Sequence, residues 1–388
     1  MIIKLADRRK VQIAQPIVGA EEWEAVRAPI EAGWLTQGPL VAEFESRFAA
    51  RHGVDAAVAT TSCTTGLHLI LSALGVGRGD EVIVPSFTWV ATANVVVQCG
   101  ATPVFVDVDP HSFNIDVKLV KGALTERTRA VIAVHLFGLC ADIESLRSVV
   151  PAEIVVIEDA ACAVGASRGG VLAGGLGDAA AFSFHPRKVI TTGEGGMVTT
   201  NDPVLAELVR TMRNHGATIS EEQRHRGDAP YLLPEFETLG FNYRMTDIQG
   251  AIGIAQLDRL DGLLAERRRW AAFYSEALED LDWLQTPLVS DDSLHAWQSY
   301  VILVDPDSSS CSRDELMAGL HEEGVATRPG THAVHELAFY QNLLSGRSVA
   351  CPVASASAAN SMAIPLHNGM VEADFAYVVR QLHELGGV

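Results

Sequence analysis

The chain holds 388 residues, with 29 Lys and Arg against 48 Asp and Glu, a net charge of −19. That balance excludes a general nucleic-acid binder, which needs a basic face; the one basic run, Arg267-Arg268-Arg269, reads as a turn of a solvated helix. A composition 48% hydrophobic and 20% charged is that of a globular protein, and the length suits two domains or one with an appendage.

The first ten residues carry Lys4, Asp7, Arg8, Arg9 and Lys10, so no secretory signal is expected. No run of about 18 apolar residues follows, and no membrane span is expected. Six cysteines stand at 63, 99, 140, 162, 311 and 351, without a C-x-x-C pair and mostly within apolar segments. Free thiols of a cytoplasmic protein are expected, not a disulfide framework or a zinc site.

Short β-type runs alternate with helical spacing through the first half. Ala56 to Ala59 reads as a strand, Thr64 to Leu74 as a helix stopped by Gly75 and Gly77, and Glu81 to Val84 as a strand stopped by Pro85. Val90 to Gln98 reads as a helix ended by Gly100. Strands at Pro103 to Val108, Arg129 to His135 and Ile154 to Ile157 are separated by helices at Val117 to Leu124 and Ile143 to Val149. Apolar strands joined through helices imply an α/β fold with a mostly parallel sheet covered on both faces and a site at the strands' carboxyl ends. The segment Ser220 to Thr238 lacks periodicity and reads as a loop or arm. Thr246 to Leu281 reads as one long or kinked helix, followed by a strand at Ser299 to Val304, a helix at Ser312 to Glu323, a strand near Val325 to Arg328 and a last helix at Ala373 to Leu385. Residues 1–245 therefore form a large α/β domain, and 246–388 a connecting helix with a small α+β domain.

Three segments carry chemistry. In Ser183-Phe184-His185-Pro186-Arg187-Lys188, an apolar strand runs into a lone lysine, and glycines at 193, 195 and 196 follow. Burial should depress the amine of Lys188 and leave it nucleophilic; a surface lysine at the mouth of a turn fits the same residues. In Val155-Val156-Ile157-Glu158-Asp159-Ala160-Ala161-Cys162, two carboxylates end a strand and point to opposite faces, so at most one meets a given ligand. Asp159 suits the protonated nitrogen of a ring, or the N-cap of a helix. Thr60-Thr61-Ser62-Cys63-Thr64-Thr65-Gly66 joins a strand to a helix and reads as a phosphate cradle or as plain capping. Trp89 falls at the next such junction, placed to stack on a ring or to fill the core.

Together these segments, with Gly240-Phe241-Asn242-Tyr243-Arg244-Met245-Thr246-Asp247 and Ala326-Thr327-Arg328-Pro329, resemble the DegT/DnrJ/EryC1/StrS family. The likeness runs from Gly38 to the last helix. It implies a fold-type-I, pyridoxal-phosphate-dependent sugar aminotransferase, a seven-stranded-type sheet, and a large cofactor-binding domain ahead of the small one. On that resemblance Lys188 is the Schiff-base lysine, Asp159 the partner of the pyridinium nitrogen, Trp89 the stacking aromatic and Cys162 a residue on the other ring face. Thr64, Thr65 and Ser183 are phosphate ligands, and Asn242 is a phosphate ligand given to the other subunit of a homodimer. His185 lines the sugar pocket as a further catalytic candidate, and Arg328 or His332 contacts substrate.

The reaction so implied moves an amino group from glutamate, or glutamine, to a keto-sugar by a ping-pong route. A nucleotide-linked 4-keto-6-deoxyhexose, as in perosamine synthesis, is the expected acceptor. A cyclitol or other natural-product ketone is the alternative; a dehydratase is disfavoured by Lys188, and a non-enzymatic binder by the full cofactor set. His332 and His335 lack a third ligand nearby in sequence, so no metal is expected.

Overall fold

The computed structural model describes residues 9–219, 224–225, 227, 231–344 and 349–386. Part of the arm expected over 220–238, and most of the charged amino terminus, lie outside the described residues. The elements of the first half are α1 (Pro39–His52), β1 (Ala56–Thr60), α2 (Cys63–Ala73), β2 (Glu81–Pro85), α3 (Ala91–Gln98) and β3 (Thr102–Val106). There follow α4 (Val117–Ala123), β4 (Thr128–Val134), α5 (Ile143–Val149), β5 (Val155–Asp159), β6 (Ala179–Ser183), β7 (Gly196–Thr200) and α6 (Pro203–Arg213). These strands form one seven-stranded sheet in the order β1-β7-β6-β5-β4-β2-β3, with β7 antiparallel to both neighbours and the other pairings parallel.

Because successive strand residues face opposite sides, each strand splits its side chains between two cores. Val58, Ile132, Ile157, Ala181 and Val198 pack with α2, α3 and α6. Ala57, Ala59, Ala180, Phe182 and Met197 lie on the other face with Phe44 and Phe48 of α1, while Val131 and Val156 pack there with Ile143 and Leu146 of α5. All these strands are nearly continuous apolar runs because both faces are covered.

The second half opens with α7 (Asp247–Ala277), one continuous helix of 31 residues where a kink was equally expected. Thr246 caps it in a reciprocal box with Gln249. Asp247 faces away, its carboxylate accepting the backbone N–H groups of Leu40 and Val41 at 3.3 and 3.0 Å, and so binds α7 to the start of α1. Next come β8 (Leu284–Gln285), β9 (Tyr300–Val304), α8 (Arg313–Glu322), β10 (Arg328–Pro329), α9 (Pro352–Asn360), β11 (Ser361–Ile364) and α10 (Glu372–Gly386). A four-stranded antiparallel sheet, β8-β9-β11-β10, results. The strand expected near Val325 shrinks to Arg328–Pro329, and Val325 instead bridges Val11 and shares a core with it. The seven-stranded sheet comes from residues before 245 and the four-stranded one from residues after it, and Val11 bridges to Val325.

The solvated turn expected at Arg267 is overturned. Arg267 is buried and donates to the carbonyls of Trp297 and Leu366 and to Asn368 Oδ1. Arg268 reaches the carbonyls of His295 and Gly165. A triplet of basic residues looks uniform in sequence, but a helix aims its members in different directions; only Arg269, stacked over Trp270, stays apart from this network. Burial lowers the Arg267 guanidinium to about 10, with Glu266 opposing.

Two imidazoles sit in apolar surroundings. His52 stacks on Phe48 with centroids 4.1 Å apart and its Nε2 has no partner, while His295 stacks on Trp297 at 4.0 Å. Burial lowers His52 to about 4 and His295 to about 3, with Arg51 and Arg268 respectively adding to it. Unfolded, each titrates near 6.5, so below that pH the unfolded chain binds more protons. Stability should be full above about pH 6.5 and fall as pH drops, the His52 share being spent by about 4 and the His295 share by about 3. Urea midpoints measured from pH 7.5 to 5 check this, and His52→Phe should flatten the slope.

Candidate functional site

The register places the site. Thr60 pairs with Gly196 and Gly196 with Ser183, while Asp159 pairs with Ala181, so the ends of β1, β6 and β5 lie side by side. Asp159 and Ile157 share a face, that of α2 and α3; Glu158 takes the opposite one. The two carboxylates indeed part company. Glu158 is buried with His135 Nε2 2.7 Å away and accepts the N–H groups of Gly174, Leu176 and Gly177 at 2.7–2.9 Å. Its four donors leave it no room for a ligand.

Asp159 is buried and caps no helix, since none begins there. Its Oδ2 accepts the Thr92 hydroxyl at 2.7 Å, and Thr92 lies 3.2 Å from the hydroxyl of Thr88. The Cys63 thiol stands 3.6 Å from Oδ1. These holders were not legible in advance: Thr92 and Cys63 come from separate helices that only the fold brings together. The Thr92 hydroxyl thus fixes the orientation of this carboxyl group.

Lys188 is partly buried, its backbone N–H bonded to the carbonyl of His185 at 2.8 Å. Its Nζ lies 3.2 Å from Cys162 Sγ. The depressed amine expected from sequence is corrected here. Burial is the largest single influence and does lower the ammonium, but Cys162, Cys63 and Asp159 together outweigh it and the net direction is upward. A strand of apolar residues announces burial; it does not announce the sulfur and carboxylate waiting at the end of the side chain.

The cradle forms where α2 begins. Ser62 caps the helix, and Thr65 completes the box with its hydroxyl on the Ser62 backbone. Thr65 is thus brought to the site with its oxygen already engaged. The N–H groups of Cys63 and Thr64 have no acceptor among the described residues, and the Thr64 side chain is partly exposed. A Cβ on Gly196 would stand 2.3 Å from the carbonyl carbon of Ser62, so glycine there lets β7 run against the cradle. Ser183 is buried beside it, with its hydroxyl 3.4 Å from the His185 N–H. Open N–H donors at a helix start fit a phosphate, so these residues suit pyridoxal phosphate: Thr64, Thr65 and Ser183 at the phosphate end, Asp159 at the ring nitrogen and Lys188 at the aldehyde.

Trp89 is 62% exposed, which rules out the core reading. Its ring lies 5.7 Å from that of His332, because His332–Ala333 pairs with Phe87–Thr88 and Val334 N–H bonds the Ser86 carbonyl. Arg328 precedes this loop and is exposed. Burial lowers its guanidinium, and the nearby charge of Arg187 adds to the effect. Arg187 is a residue the sequence reading passed over, although it adjoins Lys188. His185 is half-exposed; burial lowers its imidazole, Glu194 opposes, and Arg187 and Lys188 add to the lowering.

Asn242 makes no hydrogen bond to this cluster among the described residues. It is exposed and bridges Asn214, while Phe241 and Tyr243 on either side pack over His68 of α2. Among the described residues no group of three His, Cys, Asp or Glu is placed to hold a metal, and the cysteines are free. No helix among them is long and apolar enough to cross a membrane. A cavity of about 460 Å³ lies elsewhere, lined by Leu284, Val304 and Val353 among others, and brings no cofactor chemistry.

The DegT/DnrJ/EryC1/StrS aminotransferase family model matches residues 16–383. The chain belongs to that family. It is 39% identical to GDP-perosamine synthase of Caulobacter vibrioides over 98% of this chain and all of that one. An aminotransferase structure from Psychrobacter cryohalolentis superimposes with a TM-score of 0.90 at 30% identity, covering 95% of this chain and 97% of the other. The PLP-form of Spr1654 from Streptococcus pneumoniae superimposes at 0.88 with 28% identity, over 97% and 98%. The protein is a pyridoxal-phosphate-dependent sugar aminotransferase of fold type I, using an amino donor and a keto-sugar.

For this aminotransferase, Lys188→Ala should still bind the cofactor but leave no covalent mass gain after borohydride. Turnover should fall by about 10²–10⁴-fold or more, the range of a lost proton carrier. Borohydride trapping at wild-type yield would move the anchor to another lysine.

Proposed function

We propose that the enzyme aminates a nucleotide-linked 4-keto-6-deoxyhexose, with glutamate as donor, in two half-reactions at one site. The observation that carries the nucleotide-linked class is the Arg187–Arg328 pair at the mouth of the cleft. Neither guanidinium has a carboxylate partner among the described residues, whereas Arg47, Arg127 and Arg259 all do. In a chain of net charge −19, two neighbouring guanidiniums without acid partners among the described residues suit a ligand carrying at least two negative charges. A diphosphate meets that need, and the dicarboxylate donor meets the same charges in the other half-reaction. The likeness to GDP-perosamine synthase supports 4-amination.

Bound in this cleft, pyridoxal phosphate supplies a ring that withdraws electrons from the carbon bearing the amine. The chain does the rest. Asp159, held by Thr92, keeps negative charge against the ring nitrogen. Lys188 carries the proton on and off the reacting carbon, and Trp89 covers the ring from the open side. Free thiols suit a reducing, cytoplasmic site of action.

The working unit in this reading is a homodimer. Tyr231, Leu232, Leu233, Phe236 and Leu239 are all exposed in the stretch leading to Asn242. Such a run suits burial against a second copy, bringing Asn242 to the partner's cradle.

Arg328→Ala should raise KM for the nucleotide sugar about 10- to 100-fold with little change in kcat, the scale of one charge-assisted hydrogen bond. An unchanged KM in steady-state assays would remove the diphosphate role. Mixing a Lys188→Ala chain with an Asn242→Ala chain should restore part of the lost activity, because one hybrid site keeps both residues. No recovery after subunit exchange, followed by native mass spectrometry, would place Asn242 outside the partner's site.

A further inference from the structure

Amino transfer calls for the Lys188 amine; it does not call for a thiol beside it. Yet Lys188 Nζ stands 3.2 Å from Cys162 Sγ. Both side chains spring from short backbone-bonded turns, with the Ala163 N–H on the Ala160 carbonyl at 2.9 Å and the Lys188 N–H on the His185 carbonyl at 2.8 Å. A Cβ on Gly138 would stand 3.0 Å from the Cys162 carbonyl, so the turn is also walled in from behind. Cys162 is partly exposed to the cleft, whereas Cys63, Cys140 and Cys351 are buried. The amine and the sulfur are thus held within reach of each other, and it is the thiolate form of a cysteine that attacks peroxides.

We infer that Cys162 and Lys188 form a reversible oxidative lock, in which a hydroperoxide oxidises Cys162 and the Lys188 nitrogen then closes on it as a sulfenamide. In the first step the thiolate attacks a peroxide oxygen and the O–O bond breaks. Sulfur gives up two electrons and becomes a sulfenic acid, while the other oxygen leaves as water, or as an alcohol from an organic hydroperoxide. In the second step Lys188, its ammonium proton released to solvent, attacks sulfur. The N–S bond forms, the S–O bond breaks, and water departs with no further electron change. A thiol reductant reverses the lock: its thiolate attacks sulfur, the amine leaves with a proton, and a second thiol equivalent frees Cys162 as the reductant becomes a disulfide. The lock silences the enzyme because it consumes the amine that carries the proton, and it spares sulfur the irreversible higher acids. It closes when the amine is not engaged with the cofactor, so enzyme loaded with the donor's amino group is the vulnerable form.

The test uses holoenzyme incubated with glutamate, treated with a small excess of hydrogen peroxide, and read by intact mass and peptide mapping. The expected product is lighter by two hydrogens, with the Cys162 and Lys188 peptides joined, trypsin unable to cut after Lys188, and the mass restored by dithiothreitol. Cys162→Ala should abolish the two-hydrogen loss, whereas Cys311→Ser should keep it. Because the readout is mass, it does not depend on which keto-sugar is the substrate. Cys162 carrying one or more oxygens without a joined peptide would overturn the lock. So would a joined Cys63–Cys162 pair, or a two-hydrogen loss that survives Cys162→Ala.

Discussion

Glu158 holds the back of the active site together. Four N–H groups from two separate stretches converge on its buried carboxylate, one from His135 and three from the Gly174–Gly177 turn. His135 is fixed in turn, because its Nδ1 accepts the Ala141 N–H at 3.0 Å, which leaves Nε2–H to face Glu158. A carboxylate taken out of water is tolerated only when its lone pairs are met, and here they are. The result is a rigid base under β5, whose last residue, Asp159, is presented to the opposite face. One dipeptide therefore supplies both a structural anchor and a group for chemistry, divided by strand alternation.

The second half of the molecule is joined to this base by charged side chains that reach main-chain dipoles. Arg267 satisfies its guanidinium on carbonyls and the Asn368 amide, from the interior of α7 to the ends of β9 and β11. Asp247, at the other end of α7, does the same with the N–H groups of α1. Each neutralises part of a helix end or a loop that lacked partners. The loop carrying Arg328 and His332 thereby reaches the mouth of a cleft built by the first half.

Much of this was readable beforehand, and the reasons differ by residue. Apolar runs such as Val155–Ile157 betray buried parallel strands because both sheet faces are covered, and the expected strand and helix limits fall within a few residues of those seen. Asp159, Lys188 and the Ser62 cap follow from strand–turn junctions, which keep local signatures. Thr92 and Arg187 did not stand out, since a threonine on a helix and an arginine in a turn acquire meaning only from neighbours distant in sequence. The raised Lys188 ammonium belongs with them: its direction is set by Cys162, Cys63 and Asp159, which only the fold brings to it. Arg267 was misread because charge density on a helix says nothing about which face is covered.

The place of β7 in the main sheet imposes an order on synthesis. β1 has β7 as its sole neighbour in the sheet, and β7 leaves the ribosome only after β2 to β6 have been made. Until then Ala56–Thr60 is an unclaimed edge, and the turn through Ser62 lacks the wall that Gly196 provides. Long-range pairing of this kind closes late, after loop entropy has been met by the local βα units. Lys188 emerges just ahead of Gly196, so the amine and the phosphate cradle mature almost together. The stretch from Lys188 to Gly196 therefore completes both the lysine turn and the wall beside Ser62 in one short length of synthesis.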